Sequence, residues 1–202
     1  MRTIILMATI LASAACGAEP GATVGNDAQV AVNDTAGGSA AEQDGAETAL
    51  PARASVFTAA GDKNCRTIST DEETGDWTGS CPGHAGYGVE QSSGDLRDDI
   101  TLIKDGKRTE LQLPTLVANG AFDSIGERIE WRGPAGGPPD VLVVRVFIAN
   151  DQGENDGGHL AVARLIPTPC LIGIVRPQPG QSDKARAMAD ATPLPSCLKG
   201  AQ

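Results

Sequence analysis

This chain has two histidines, His84 and His159. Histidine is the side-chain type that ordinarily changes its charge nearest to neutral pH. His159 directly follows an acidic, glycine-rich stretch at 151–158, so a proton-transferring histidine–aspartate pair is the first chemistry to consider. A serine hydrolase would also need a nucleophile, and the sequence contains no Gly-x-Ser-x-Gly motif to supply one. We therefore interpret 151–158 as a polar hairpin loop and predict no catalytic residue and no enzymatic activity.

Three other segments resemble functional motifs without their required context. A calcium-binding loop starting at Asp151 would need a glutamate at its twelfth position, where this sequence has Val162. Residues 196–199 read Ser-Cys-Leu-Lys and match Ser-x-x-Lys, but they lie at the C-terminus with no predicted helix to carry them. The glycine-rich segment 133–139 lacks the Gly-Lys pair of a phosphate-binding loop. We therefore predict no cofactor and no metal site.

A turn-rich segment beginning at Cys81 is the best candidate for a binding loop. It carries His84 and Tyr87, and it continues through Ser93 and Asp95. An aromatic side chain with a polar tip is a good binding anchor when a loop exposes it. We predict that these four residues form one exposed recognition edge. The alternative is a structural turn in which Tyr87 packs against the domain.

The number of cysteines is odd, which leaves one thiol to explain in an exported chain. Lipidation of Cys16 would remove one and leave four, and four cysteines in an oxidising compartment predict two disulfides. Three pairings are open, of which we favour the two between sequence neighbours, Cys65–Cys81 and Cys170–Cys197. A metal site is disfavoured because there is no Cys-x-x-Cys pair.

Residues 1–15 have the plan of a signal peptide, with Arg2, an apolar run and small residues before Cys16. The run is shorter than the roughly 20 apolar residues of a membrane-spanning helix. A cysteine after two alanines resembles a bacterial lipoprotein processing site, although Ser13 stands where that motif prefers leucine. We expect a lipid-anchored periplasmic protein. If Cys16 is not lipidated, the alternative is a soluble periplasmic or secreted protein cleaved after Ala14 or Ala15.

The segment 16–52 has no lysine or arginine, no aromatic residue and six acidic residues. Such a composition cannot bury enough apolar surface to offset the entropy of ordering. We predict a disordered acidic linker between the anchor and a folded domain at 53–200. The whole chain has a formal net charge of −10, so we expect no nucleic-acid partner and membrane contact through the lipid alone.

Within 53–200 the patterns predict a mainly β domain, at the border of α+β, built as an antiparallel sheet or small sandwich. The pair Asp105-Gly106 predicts a two-residue hairpin. A short C-terminal helix is expected over Asp183–Ala191, with Ser182 as its N-cap. The strands are predicted at Arg66–Thr70, Trp77–Cys81, Ile100–Lys104, Arg108–Leu113, Arg128–Arg132, Val141–Ala149, His159–Ile166 and Cys170–Val175.

Three strings, at 77–87, 93–97 and 122–132, resemble a family of small, uncharacterised exported bacterial proteins, which implies a lipoprotein. The resemblance covers roughly 55–197 and implies an exported location and paired cysteines, with no known activity. The leading expectation for function is a non-catalytic envelope module that binds another envelope component. The alternatives are an inhibitor of a cell-wall hydrolase and, less favoured, a small hydrolase.

Overall fold

The computed structural model describes residues 52–199, which form two five-stranded antiparallel sheets. The predicted mainly β class is confirmed, with a short C-terminal helix and two disulfides. All described residues belong to one compact unit. The predicted signal peptide at 1–15, Cys16 and nearly all of the predicted linker at 16–52 lie outside the described residues.

The strands follow one another along the chain as β1 (Arg53–Ala59), β2 (Arg66–Thr70), β3 (Trp77–His84), β4 (Tyr87–Gly94), β5 (Arg97–Lys104), β6 (Lys107–Glu110), β7 (Asp123–Pro134), β8 (Val141–Ile148), β9 (His159–Arg164) and β10 (Cys170–Val175). The described part of the chain has two α-helices, the four-residue α1 (Leu113–Leu116) and α2 (Gln181–Ala189). One sheet has the order β1-β7-β8-β9-β10 and contacts α2; we call it the helix-covered sheet. The second sheet has the order β2-β3-β4-β5-β6.

The main core lies between the two sheets, and strand β8 explains how the sequence builds it. Leu142 and Val144 face this core, together with Trp131 of β7 and with Ile100 and Leu102 of the second sheet. The intervening residues of β8 face the opposite side, where α2 covers them. The first half of β8, residues 141–144, is therefore buried on both faces, which is why its sequence is a continuous apolar run rather than an alternating one.

Helix α2 lies very close to the helix-covered sheet because small residues meet at the contact. Ala185 and Ala189 are buried there, and a side chain at Gly173 of β10 would collide with Met188 of the helix. Ion pairs then fix the helix to the neighbouring strands. Arg132 pairs with Asp190 just beyond the helix, and Arg186 pairs with Glu130 of β7 at 2.8 Å.

The predicted hairpin at Asp105-Gly106 is confirmed. Lys104 and Lys107 pair directly, and the two turn residues have φ angles of 50° and 76°. Two positive φ values define the tight turn whose twist suits a hairpin. The same turn joins β3 to β4 at Ala85-Gly86 and β4 to β5 at Asp95-Leu96. The sequence signals do not predict the latter two, because alanine and leucine disfavour positive φ.

Both predicted disulfides are confirmed. Cys65–Cys81 joins the start of β2 to β3, and Cys170–Cys197 joins the start of β10 to the C-terminal tail. The Leu198 amide donates a 2.7 Å hydrogen bond to the Leu171 carbonyl, which continues that attachment along β10. Among the described residues, no helix has the length and apolar character needed to cross a membrane.

Several local predictions need correction. The strand predicted over His159–Ile166 ends at Arg164, the strand predicted over Arg128–Arg132 is part of the longer Asp123–Pro134, and the helix predicted over Asp183–Ala191 ends at Ala189. Ser182 is not the N-cap of the C-terminal helix: α2 starts at Gln181, after Gly180, whose φ of 68° turns the chain, and no side chain caps it. The strand predicted to end at Leu113 ends at Glu110 instead. There the Asp99 carboxylate accepts backbone N–H groups of Gln112 and Leu113, which turns the chain into α1. The sequence patterns do not predict strands β1 and β4.

Candidate binding groove

The histidine–aspartate pair considered from the sequence does meet in the structure. His159 Nδ1 lies 3.0 Å from Asp156 Oδ2, although the ring N–H does not point along a hydrogen bond to it. The other oxygen, Asp156 Oδ1, accepts the backbone N–H groups of Ile148 and Gly158, so the carboxylate is fixed in place. This pair is therefore anchored to the loop that precedes β9.

The cleft beside this pair offers no nucleophile. It is lined by nine residues, and none of these described residues carries a hydroxyl or thiol side chain. Arg176 and Asn119 contribute polar surface beside the histidine–aspartate pair itself, and the other five lining residues are apolar. Across residues 52–199, no group of three or more His, Cys, Asp and Glu side chains is arranged to hold a metal ion. The pair can orient an imidazole, but the described residues that line its cleft include no hydroxyl or thiol side chain to act as a nucleophile.

The four residues of the predicted recognition edge are not brought together. His84 and Tyr87 flank the β3–β4 turn, whereas Ser93 and Asp95 lie near the β4–β5 turn. The length of β4, roughly 23 Å at about 3.3 Å per residue, separates the two turns. Tyr87 is buried, its ring 5.8 Å from that of Trp131, and burial raises the pKa of its hydroxyl. Tyr87 therefore packs in the interior, as in the structural alternative.

A different concave surface lies on the outer face of the helix-covered sheet. Strands β7 and β8 form its floor, and the first turns of α2 form one wall. We call this surface, of about 620 Å³, the Arg145 groove. Its lining residues include Phe57, Ser124, Glu127, Arg128, Glu130, Val143, Arg145, Phe147, Ser182 and Arg186.

Arg145 is held in position at the groove by glycines and main-chain carbonyls. Its Nη1 donates to the carbonyls of Gly158 and Gly157 at 3.3 and 3.4 Å and to Gln181 Oε1 at 3.0 Å. A Cβ at Gly126 would lie 3.1 Å from the Arg145 Cβ, and one at Gly158 would lie 3.0 Å from its Cγ and Cδ. The two glycines thus leave a slot that the arginine side chain fills.

Two arginines at this face are neutralised within the fold, whereas Arg128 and Arg145 have no carboxylate within ion-pair distance among residues 52–199. Arg132 donates two hydrogen bonds to Asp190, which lower the pKa of that carboxyl, and Arg186 pairs with Glu130. Arg145 forms no ion pair with any carboxylate of residues 52–199, and its Nε and Nη2 donate no hydrogen bond there. Arg145 therefore keeps two donors for a ligand, and Arg128 is a second cation of the groove without an ion pair among the described residues.

Aromatic side chains frame this cation. Phe147 follows Arg145 on the same face of β8, and Phe57 of β1 is 46% exposed, which leaves its ring open to solvent. Arg128 lies over the Phe57 ring, with its guanidinium carbon 5.1 Å from the ring centroid. The arrangement provides a fixed guanidinium for a carboxylate and apolar rings for a neighbouring group.

Sequence reasoning missed this groove, although one signal was present. Arg145 interrupts Val141–Ile148, an otherwise apolar strand, and a charged residue inside a buried strand indicates a special environment. The remaining lining comes from β1, β7 and α2, which are far apart in sequence. No protein-family model matches this chain, and neither a curated protein nor a solved structure shows significant similarity to it.

Proposed function

We propose that this chain is an exported, lipid-anchored and non-catalytic binding module of the bacterial envelope. Its Arg145 groove holds a carboxylate-bearing segment of another envelope component. The observation that carries the proposal is the guanidinium of Arg145, which lies in an open groove without a carboxylate partner among the described residues. A fixed arginine with free Nε and Nη2 donors matches the two oxygens of a carboxylate.

The energetics favour binding by this group over a purely structural role. A hydrogen bond to a charged group contributes about 1.5–3 kcal/mol, and the cost of immobilising Arg145 has already been met by its contacts with Gly158 and Gln181. The exposed Phe57 and the nearby Phe147 add apolar surface beside the charge. The preferred partner segment therefore combines an acidic residue with an apolar or aromatic neighbour.

The envelope location is supported by the cysteines. Two disulfides are formed in the described domain, and disulfides persist in oxidising compartments such as the bacterial periplasm. Their formation leaves Cys16 as the one cysteine outside the pairs, which suits the proposed lipid attachment.

An inhibitor of a cell-wall hydrolase is a second candidate that the same guanidinium favours. Glycoside hydrolases work with a pair of acidic residues in a cleft, and Arg145 is suited to pair with such a carboxylate. This candidate predicts stoichiometric loss of hydrolase activity on addition of the domain. A general binding module predicts binding to an acidic segment without inhibition.

The test is titration of the isotope-labelled chain with a peptide that alternates phenylalanine and glutamate, followed by NMR. We expect amide shifts at Gly126, Gly158 and Ser182, and we expect Arg145→Gln to weaken binding about ten- to hundred-fold. Arg108→Gln is the matched control, because Arg108 pairs with Glu90 on the other sheet. Undiminished binding by a folded Arg145→Gln variant would overturn the proposal.

A further inference from the structure

Two lysines face each other on the core side of the second sheet. Lys104 and Lys107 are direct cross-strand partners, and the next pair along the same face is Leu102 with Thr109. Leu102 is 1% exposed and belongs to the core, so the lysine pair continues the inward-facing row. Like charges directly opposite one another destabilise a sheet. Neither lysine has a carboxylate within ion-pair distance among residues 52–199.

A cavity of about 470 Å³ lies beside this pair. It opens where the β9–β10 connection passes over the end of the second sheet, and this size falls in the range of small-molecule sites, roughly 300–1,000 Å³. Leu102, Leu165 and Tyr87 are buried and form its inner surface. Apart from the two lysines, Asp105 and Thr109 supply the polar lining, and Ile166, Pro167 and Pro169 complete the apolar wall.

The ammonium of Lys104 is fixed at the mouth of this cavity. It lies 4.9 Å from the centroid of the Tyr87 ring and donates a 3.0 Å hydrogen bond to the Ala85 carbonyl. A Cβ at Gly86 would lie 2.7 Å from this nitrogen, so the glycine allows the contact. An ammonium has three donors, and one is used here, which leaves two for a ligand.

We propose that this cavity binds a single-chain anionic amphiphile, of which a medium-chain fatty acid is the simplest. The alkyl chain packs against Leu102, Leu165 and Ile166, and the carboxylate lies between Lys104 and Lys107. The two lysines and Asp105 together carry one net positive charge, which a monocarboxylate neutralises. Ligand binding would thus relieve the like-charge pair and cover the exposed Ile166, which is 57% accessible.

This site is separate from the Arg145 groove and rests on different residues. The groove uses the outer face of the helix-covered sheet, whereas the lysine cavity uses the inner face of the second sheet and the β9–β10 connection. No residue lines both. Failure of one proposal therefore leaves the other standing.

The experiment is calorimetric titration of the full polypeptide chain with decanoate. Decanol, which lacks the charge, and acetate, which lacks the long alkyl chain, are the comparison probes. We expect decanoate to bind and to raise Tm. The double variant Lys104→Gln/Lys107→Gln should bind it about tenfold more weakly while unfolding at the same or a higher temperature, because the like-charge pair is gone. Lys184→Gln, a substitution on α2, is the control.

Three outcomes would overturn the proposal. The first is no binding of decanoate by the wild-type chain. The second is equal binding of decanoate by the double variant, or of decanol by the wild type, because the lysine pair would then have no part in recognition. The third is binding to phosphatidylglycerol vesicles without binding to free decanoate, which would assign the lysines to a membrane head group.

Discussion

Two aspartates are buried inside the sandwich, whereas other acidic residues form ion pairs with arginines nearer its surface. Asp98 and Asp123 are both buried, and they connect the two sheets. Asp123 Oδ1 accepts the Asp98 amide at 2.8 Å, and Asp98 Oδ2 accepts the Gln91 side chain at 3.0 Å and the Ile125 amide at 3.2 Å. Asp123 Oδ2 is buried without a partner among the described residues. An unpaired buried acceptor is costly when its carboxyl is charged.

This environment predicts a pH dependence of stability. Burial, with Asp98 and Asp99 nearby, raises the pKa of Asp123 from 3.8 to about 6. The folded chain therefore holds this proton where the unfolded chain has lost it, so stability from this group falls as pH rises from about 4 through 6. We expect Asp123→Asn to raise Tm at pH 7.5 and to flatten the Tm profile between pH 4 and 7.

The matched control for this prediction is Asp105→Asn, on a hairpin turn that tolerates asparagine at positive φ. Thermal unfolding across the pH series measures both variants. A wild-type profile that rises between pH 4 and 6, with no difference between wild type and Asp123→Asn, would contradict the assigned role of this carboxyl.

At the scale of elements, local sequence predicts strands best when turn-forming residues flank them and β-branched or other apolar residues fill them. β2 and β10 begin and end where their patterns predict, and β8 ends one residue early. By contrast, β4 contains glycine and serine, which indicate a turn, and it is a strand because β3 and β5 pair with it on both sides. β1 is fixed by β7, a partner about seventy residues away, which no local pattern contains.

Whether a candidate site can be predicted also depends on how close its residues lie in the sequence. The His159–Asp156 contact could be anticipated because the two residues are three positions apart in one loop. The Arg145 groove and the Lys104–Lys107 cavity each combine segments that meet only after folding. What the sequence does show locally is the anomaly at each centre, namely a charge within an apolar strand or two lysines flanking a hairpin turn.

The Cys170–Cys197 disulfide leads to a prediction about stability. This disulfide closes a loop of 27 residues that includes α2. Its removal allows the unfolded chain more conformations, which lowers the stability of the folded chain. The chain-entropy model gives a loss of about 3–4 kcal/mol for a loop of this length. We expect the double variant Cys170→Ala/Cys197→Ala to lower the free energy of unfolding in urea by that amount. The corresponding Cys65→Ala/Cys81→Ala variant, whose cysteines are 16 residues apart, should lose slightly less.

At the scale of the whole molecule, the net charge decides which forces could hold the chain at a membrane. The chain carries a formal net charge of −10, and anionic lipid surfaces attract basic segments rather than acidic ones. Membrane association of this chain must then come from apolar insertion or from an attached lipid. One acyl chain gives only marginal, reversible binding, and stable anchoring takes more than one.

The proposed acylation of Cys16 therefore predicts a specific fractionation behaviour. Because the anchor would be apolar, the wild-type chain should stay with membranes through a high-salt wash and leave them in detergent. Cys16→Ser should appear in the soluble envelope fraction with both disulfides and its Tm unchanged, since the two disulfides lie within the described domain and do not involve this residue. Intact mass of the detergent-extracted wild type should exceed that of the chain beginning at Cys16 by the added acyl groups. A mature N-terminus that is unmodified, or that starts after Cys16, would exclude the anchor and leave a soluble envelope protein with the same two binding surfaces.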